Sequence, residues 1–142
     1  MKYMLLVSHG KFAPGLHDAL GMLLGGGRED ILSTSLENGM GADEFAEKVR
    51  EIVSVVKEDD EILLFADLIG GSPLTTAANV IAEEGLAGQT TMIGGMNLPL
   101  VLSAALTKDS MDTEVLKEVL IPEAKEMIQE FAVTVSDEED DI

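Results

Sequence analysis

Two apolar periods alternate along the chain. Tyr3–Ser8 is a short apolar run of strand length. The next segment, Pro14–Leu24, spaces Leu16, Leu20, Leu23 and Leu24 along one helical face, and the Gly25–Gly27 triplet ends it. Ile31–Leu36 reads as a second strand. Asp43 is placed to cap the helix that follows, in which Phe45, Val49, Ile52, Val53 and Val56 form a stripe at helical spacing. After the charged loop Lys57–Glu61 comes the clearest buried strand, Glu61–Asp67 (EILLFAD). Gly70-Gly71 then turns the chain. Ser72 and Pro73 open a helix as cap and first helical residue, with Leu74, Ala77, Ala78 and Ile81 inward. Gln89–Ile93 reads as a fourth strand and Gly94-Gly95 as a turn. Two helical segments close the pattern, Leu98–Thr107 and Thr113–Phe131. Pro122 lies inside the second, where an interior proline costs about 3 kcal/mol, so a break or kink is expected there.

Strands alternating with helices imply an α/β fold, a doubly wound and mainly parallel four-stranded sheet with helices on both faces. The expected strand order is 2-1-3-4. The chain then reverses direction between the first and third strands, and such folds bind ligands outside the carboxyl ends of those two. One domain over residues 1–135 and an acidic tail over 136–142 (SDEEDDI ending the chain) account for the whole sequence, with no internal repeat.

Composition narrows the classes of function. Of 142 residues, 46% are hydrophobic but only 4% aromatic, so aliphatic side chains and methionine must fill the core. Cysteine is absent, which excludes disulfides and thiolate metal sites and agrees with a reducing cytoplasm. The formal charge of −18 disfavours nucleic acid and anionic lipid and favours a basic protein partner. The opening MKYMLLVSHG is too short an apolar stretch for a signal peptide, and no run has the length of a membrane span.

The predicted topology brings chemistry together. His9 ends the first strand, Asp67 ends the third, and Ser72 opens the helix after it. Taken singly, each has an ordinary reading as loop histidine, strand-end acid or helix cap; their convergence on one crevice favours a site. Asp67 would accept from the imidazole Nδ1–H and leave Nε2 with a free lone pair. Nε2 would attack a phosphoryl group, whose oxygens Ser72 and the N–H groups of the Gly71-Ser72 turn would hold, each bond to a charged group being worth about 1.5–3 kcal/mol. Lys11 would screen the phosphate charge. The same three residues are also the members of a hydrolase triad, but the stretch around Ser72 is not a G-x-S-x-G elbow, and Pro73 lacks the N–H that would form half of an oxyanion hole. No G-x-G-x-x-G, no phosphate-binding G-x-x-x-x-G-K-[ST] and no metal-spaced histidine pair occurs, so no cofactor or metal is expected. His17, inside the first helix, reads as a surface residue.

The stretches VSHGKFAPG (7–15), FADLIGGSPLTTAAN (65–79) and GGMNLPLVL (94–102) resemble the mannose-type (mannose/fructose/sorbose) enzyme IIA of the bacterial phosphoenolpyruvate:sugar phosphotransferase system. The motifs fall in family order and spacing, and the resemblance runs over about residues 1–130. It implies that His9 takes phosphate from the phosphocarrier HPr and passes it to a IIB component, with Asp67 as its partner, Ser72 as a phosphate contact and Asn97 bordering the site. It implies sugar uptake through IIC and IID membrane subunits, hence a cytoplasmic protein that associates with a membrane transporter. It also implies a homodimer, for which Phe131–Val135 (FAVTV) would supply a swapped C-terminal strand. Leu68-Ile69 departs from the polar-aromatic pair of some relatives. The phosphocarrier subunit of dihydroxyacetone kinase and a regulatory IIA-like domain would use the same site.

Overall fold

The computed structural model describes residues 1–134. The strands are β1 (Lys2–His9), β2 (Ile31–Leu36), β3 (Glu61–Ala66) and β4 (Thr90–Ile93). They form one parallel sheet in the order β2-β1-β3-β4. The helices are α1 (Phe12–Leu24), α2 (Ala42–Val53), α3 (Ser72–Glu83), α4 (Leu98–Thr107) and α5 (Thr113–Glu126). The expected fold class and strand order are those observed.

Side chains alternate across β1, so one strand feeds two cores. Met4 and Leu6 pack with Leu16, Leu20, Leu100, Leu116 and Leu120 under α1, α4 and α5. Leu5 and Val7 pack with Phe45, Val49, Ala77 and Ile81 under α2 and α3. A strand covered on both faces has no polar side, which is why β1 and β3 read as continuous apolar runs.

Several boundaries differ from the sequence expectation. Helix α1 starts at Phe12 rather than Pro14, and Leu23 points outward, leaving Ala13, Leu16 and Leu20 as its buried contacts. Asp67 lies just past β3 rather than in it. Helix α5 stops at Glu126, short of Phe131, and runs through Pro122. Pro122 is exposed, so water can take the carbonyl it frees, while Leu116, Leu120 and Ala124 hold the opposite face on the core. Burying two leucines contributes roughly 1.5–3 kcal/mol each, enough to offset the cost of about 3 kcal/mol at the proline. Phe131–Thr134 carry no regular structure. Val135 and the acidic tail 136–142 lie outside the described residues.

Candidate functional site

Val7 on β1 pairs with Ala66 on β3, so the chain segments that follow leave the sheet side by side at its carboxyl edge. That register places His9 against Asp67. The His9 backbone N–H donates to Asp67 Oδ2 at 3.0 Å, and ring Nδ1 lies 2.9 Å from the same oxygen. Oδ1 accepts from the Leu68 N–H at 2.9 Å. Burial by itself would raise the Asp67 pKa. The backbone N–H of His9, its ring and the Leu68 N–H outweigh that effect and hold the carboxyl below its usual range. An ionised carboxylate can only accept, so Nδ1 carries the ring hydrogen and neutral His9 keeps a lone pair on Nε2. The ring is open to partners: the His9 side chain is 47% exposed, while that of Asp67 is 16% exposed.

The turn between β1 and α1 holds His9 in place through a residue that the sequence reading passes over. Buried Ser8 accepts from the Ala13 N–H at 2.7 Å and donates to the His9 carbonyl at 3.0 Å. Its signal in the sequence is a polar residue closing an apolar strand directly before a helix start. Gly10 takes φ +56, a conformation that side chains disfavour, and its N–H donates to the Leu36 carbonyl on the neighbouring strand.

The third component arrives with α3, in corrected form. Ser72 is not the cap. Gly71 is, with φ −89 and ψ 166, and Ser72 is the first helical residue. The reason is space. A Cβ on Gly71 would lie 2.8 Å from His9 Cε1 and 3.5 Å from Nε2, so only glycine lets the helix start come this close to the ring. Freed from capping, the exposed Ser72 hydroxyl makes no hydrogen bond among the described residues, either to the helix or to His9. A triad's serine–histidine bond is therefore not formed. The N-terminus of α3 abuts the Cε1–Nε2 edge of the ring and presents the partial positive charge that suits an anion.

Lys11 is exposed directly before α1. Asn97 caps α4 by accepting from the Leu100 N–H at 2.9 Å, and neighbouring Met96 ties its N–H to the Ala66 carbonyl at 2.9 Å. That bond binds the loop after β4 to the end of β3, beside the site. His17 lies elsewhere and is only half-buried; its Nδ1 is 2.7 Å from Ser33 Oγ on β2. Among the described residues no group of histidines and carboxylates has the arrangement of a metal site, and no helix is long and apolar enough to cross a membrane.

Comparison with known proteins meets this geometry. The family model described as the PTS system fructose IIA component (EIIA-man) matches residues 3–121. The PTS system fructose-specific EIIA component of Bacillus subtilis (strain 168) is 27% identical over 107 residues, which cover 75% of this chain and 70% of the relative. Among solved structures, the mannose/sorbose specific IIA subunit of the phosphotransferase system from Enterococcus faecalis superposes with a TM-score of 0.79 at 22% identity. It covers 96% of this chain and 100% of its own. Phosphotransferase system component EIIA from Streptococcus agalactiae gives a TM-score of 0.78 at 22% identity, covering 92% of this chain and 97% of its own.

Proposed function

Since the chain belongs to the EIIA-man family of phosphotransferase-system IIA components, we propose that it is a phosphocarrier whose phosphoryl acceptor is His9. The observation that carries this reading is the 2.9 Å contact from His9 Nδ1 to Asp67, which reserves Nε2 of a half-exposed ring for chemistry. The Nε2 lone pair attacks phosphorus on a phosphorylated donor. The donor's bond to phosphorus breaks and its electron pair stays with the donor. The ring, now carrying the phosphoryl group, retains its Nδ1–H, and Asp67 balances the positive charge that spreads over the imidazole. Ser72 Oγ, the N–H groups at Gly71 and Ser72, and Lys11 receive the phosphoryl oxygens. Passing the group on reverses these steps with a second acceptor, and Asn97 borders the face that both partners approach.

HPr as donor and a IIB component as acceptor fit the acidic surface, which at −18 attracts a basic docking face. Residues 1–135 form the IIA domain and 136–142 an acidic tail. The protein works on the cytoplasmic side and reaches the membrane through IIB with its IIC and IID subunits. A homodimer is supported by an apolar surface that none of the described residues covers. Leu98, Pro99, Leu102, Leu106 and Met127 line a groove between α4 and α5, and Ile128, Phe131 and Val133 beyond it are exposed.

The deciding experiment incubates the protein with phosphoenolpyruvate, enzyme I and HPr. One acid-labile, alkali-stable phosphate per chain is expected, and none on His9→Ala. Label on that variant would overturn the assignment. Transfer onward to a IIB protein, against transfer to dihydroxyacetone kinase subunits, separates sugar uptake from the kinase role.

A further inference from the structure

The chain has 14 glycines. Six take positive φ, where backbone conformation explains them. Only two, Gly71 and Gly94, have a neighbour that an added Cβ would meet within 4 Å, and neither has positive φ. Both close approaches involve the same short loop, one at its end and one in its middle. Gly71 ends the loop against the His9 ring. Gly94, at the end of β4, meets its middle: a Cβ there would lie 2.6 Å from Ile69 Cα, 2.7 Å from its Cδ1 and 2.9 Å from its Cβ.

Little else seats this loop. Leu68 is 57% and Ile69 76% exposed, so no core packing fixes it. Its entry is held by Asp67 on His9 and Leu68, and its exit by the first turn of α3. Between those points the backbone of Ile69 rests on Gly94. The turn carrying Gly94 is itself tied to the end of β3 through the Met96 N–H to the Ala66 carbonyl.

We propose that Gly94 is a positioning residue for the histidine site: by lacking a side chain it lets Ile69 settle against the turn after β4, and so sets Gly71 against the ring of His9. The kinetic part of this proposal rests on the phosphocarrier reading; the geometric part does not. A residue in the turn after β4 thereby acts on a ring at the end of β1 without touching it.

The test is Gly94→Ala beside Gly70→Ala. Both replace a glycine without positive φ in or against the same loop, but a Cβ on Gly70 meets nothing within 4 Å. In Gly94→Ala the ¹⁵N signals of the His9 imidazole and the amides of residues 68–71 are expected to shift. With phosphorylated HPr as donor, kcat is expected to fall about ten- to a hundredfold, as for a reacting group misplaced by about an ångström, with KM changed less than about twofold. Gly70→Ala is expected to match the parent in both. Unmoved His9 signals in Gly94→Ala, or equal transfer by the two variants, would overturn the proposal. If the parent itself takes no phosphoryl group, the phosphocarrier reading fails and the imidazole signals alone decide the role of Gly94. If Gly94→Ala does not fold, Ile69→Ala withdraws Cδ1 from the same contact without overfilling it. Shifted His9 signals then support the proposal, and unchanged ones overturn it.

Discussion

At the amino edge of the sheet, Lys108 is buried to 1% exposure, with its ammonium 2.7 Å from Asp30 and 3.1 Å from Asp109. Arg28 Nε and Nη2 also hold Asp30, and Nη2 reaches the Ala105 carbonyl. At the carboxyl edge, Asp67 holds a histidine that stands about half in solvent. Both ends use an aspartate paired with a nitrogen base. At Asp30 the base is sealed in, and the same carboxylate is shared by two cations. At Asp67 the base is held by one nitrogen, and the other keeps its lone pair on a half-exposed ring. A buried charge held by several partners belongs to the fold; a ring held at one nitrogen keeps the other available.

The largest test of this contrast is Asp30→Ala. It strips the buried ammonium of its closest partner, leaving exposed Asp109, so a loss of about 3 kcal/mol is expected in urea unfolding, with phosphoryl transfer by the folded fraction unchanged. A loss under about 1 kcal/mol would show that the two ends differ less than their burial suggests. Next is Asp67→Asn. The amide can turn its NH2 toward Nδ1, which moves the ring proton to Nε2 and removes the lone pair proposed to attack phosphorus. Transfer should slow by about ten- to a hundredfold, with stability changed by about 1 kcal/mol or less. An unchanged rate would remove Asp67 from the mechanism.

The smallest effect is on acid stability. Arg28, then Lys108, hold the Asp30 carboxyl far below the usual carboxylate range against the opposing effect of burial. Asp67 is lowered to a lesser degree. A carboxyl with a lower pKa folded than unfolded adds stability above its unfolded value of about 3.9 and loses it as pH falls through the folded value. Unfolding free energy measured between about pH 5 and 2 should therefore fall less steeply in Asp30→Asn than in the parent, and the change in slope should be smaller in Asp67→Asn.

The convergence of His9 and Asp67 was legible from the sequence because it depends only on strand order. Parallel strands joined by helices leave few topologies, and the order 2-1-3-4 makes the ends of β1 and β3 neighbours. Gly71 and Ser72 were read one place out, because Ser-Pro is a good cap in isolation and the competing demand comes from a ring on another strand. Gly94 looked like a turn residue for the same reason: what it makes room for is remote in the chain. Lys108, in a stretch that reads TKDS, has no local mark of burial; the partner that draws it inward, Asp30, lies in the turn just before β2. Pro122 misled because its cost is local while the leucines that offset it act across the helix–sheet interface.

About half of the His9 side chain is in water, and no described segment folds over it. A phosphoryl group carried there would meet solvent on the side from which partners come. Such a carrier is a courier rather than a store: its cargo has a lifetime set by hydrolysis, and the protein's usefulness depends on the next acceptor arriving first.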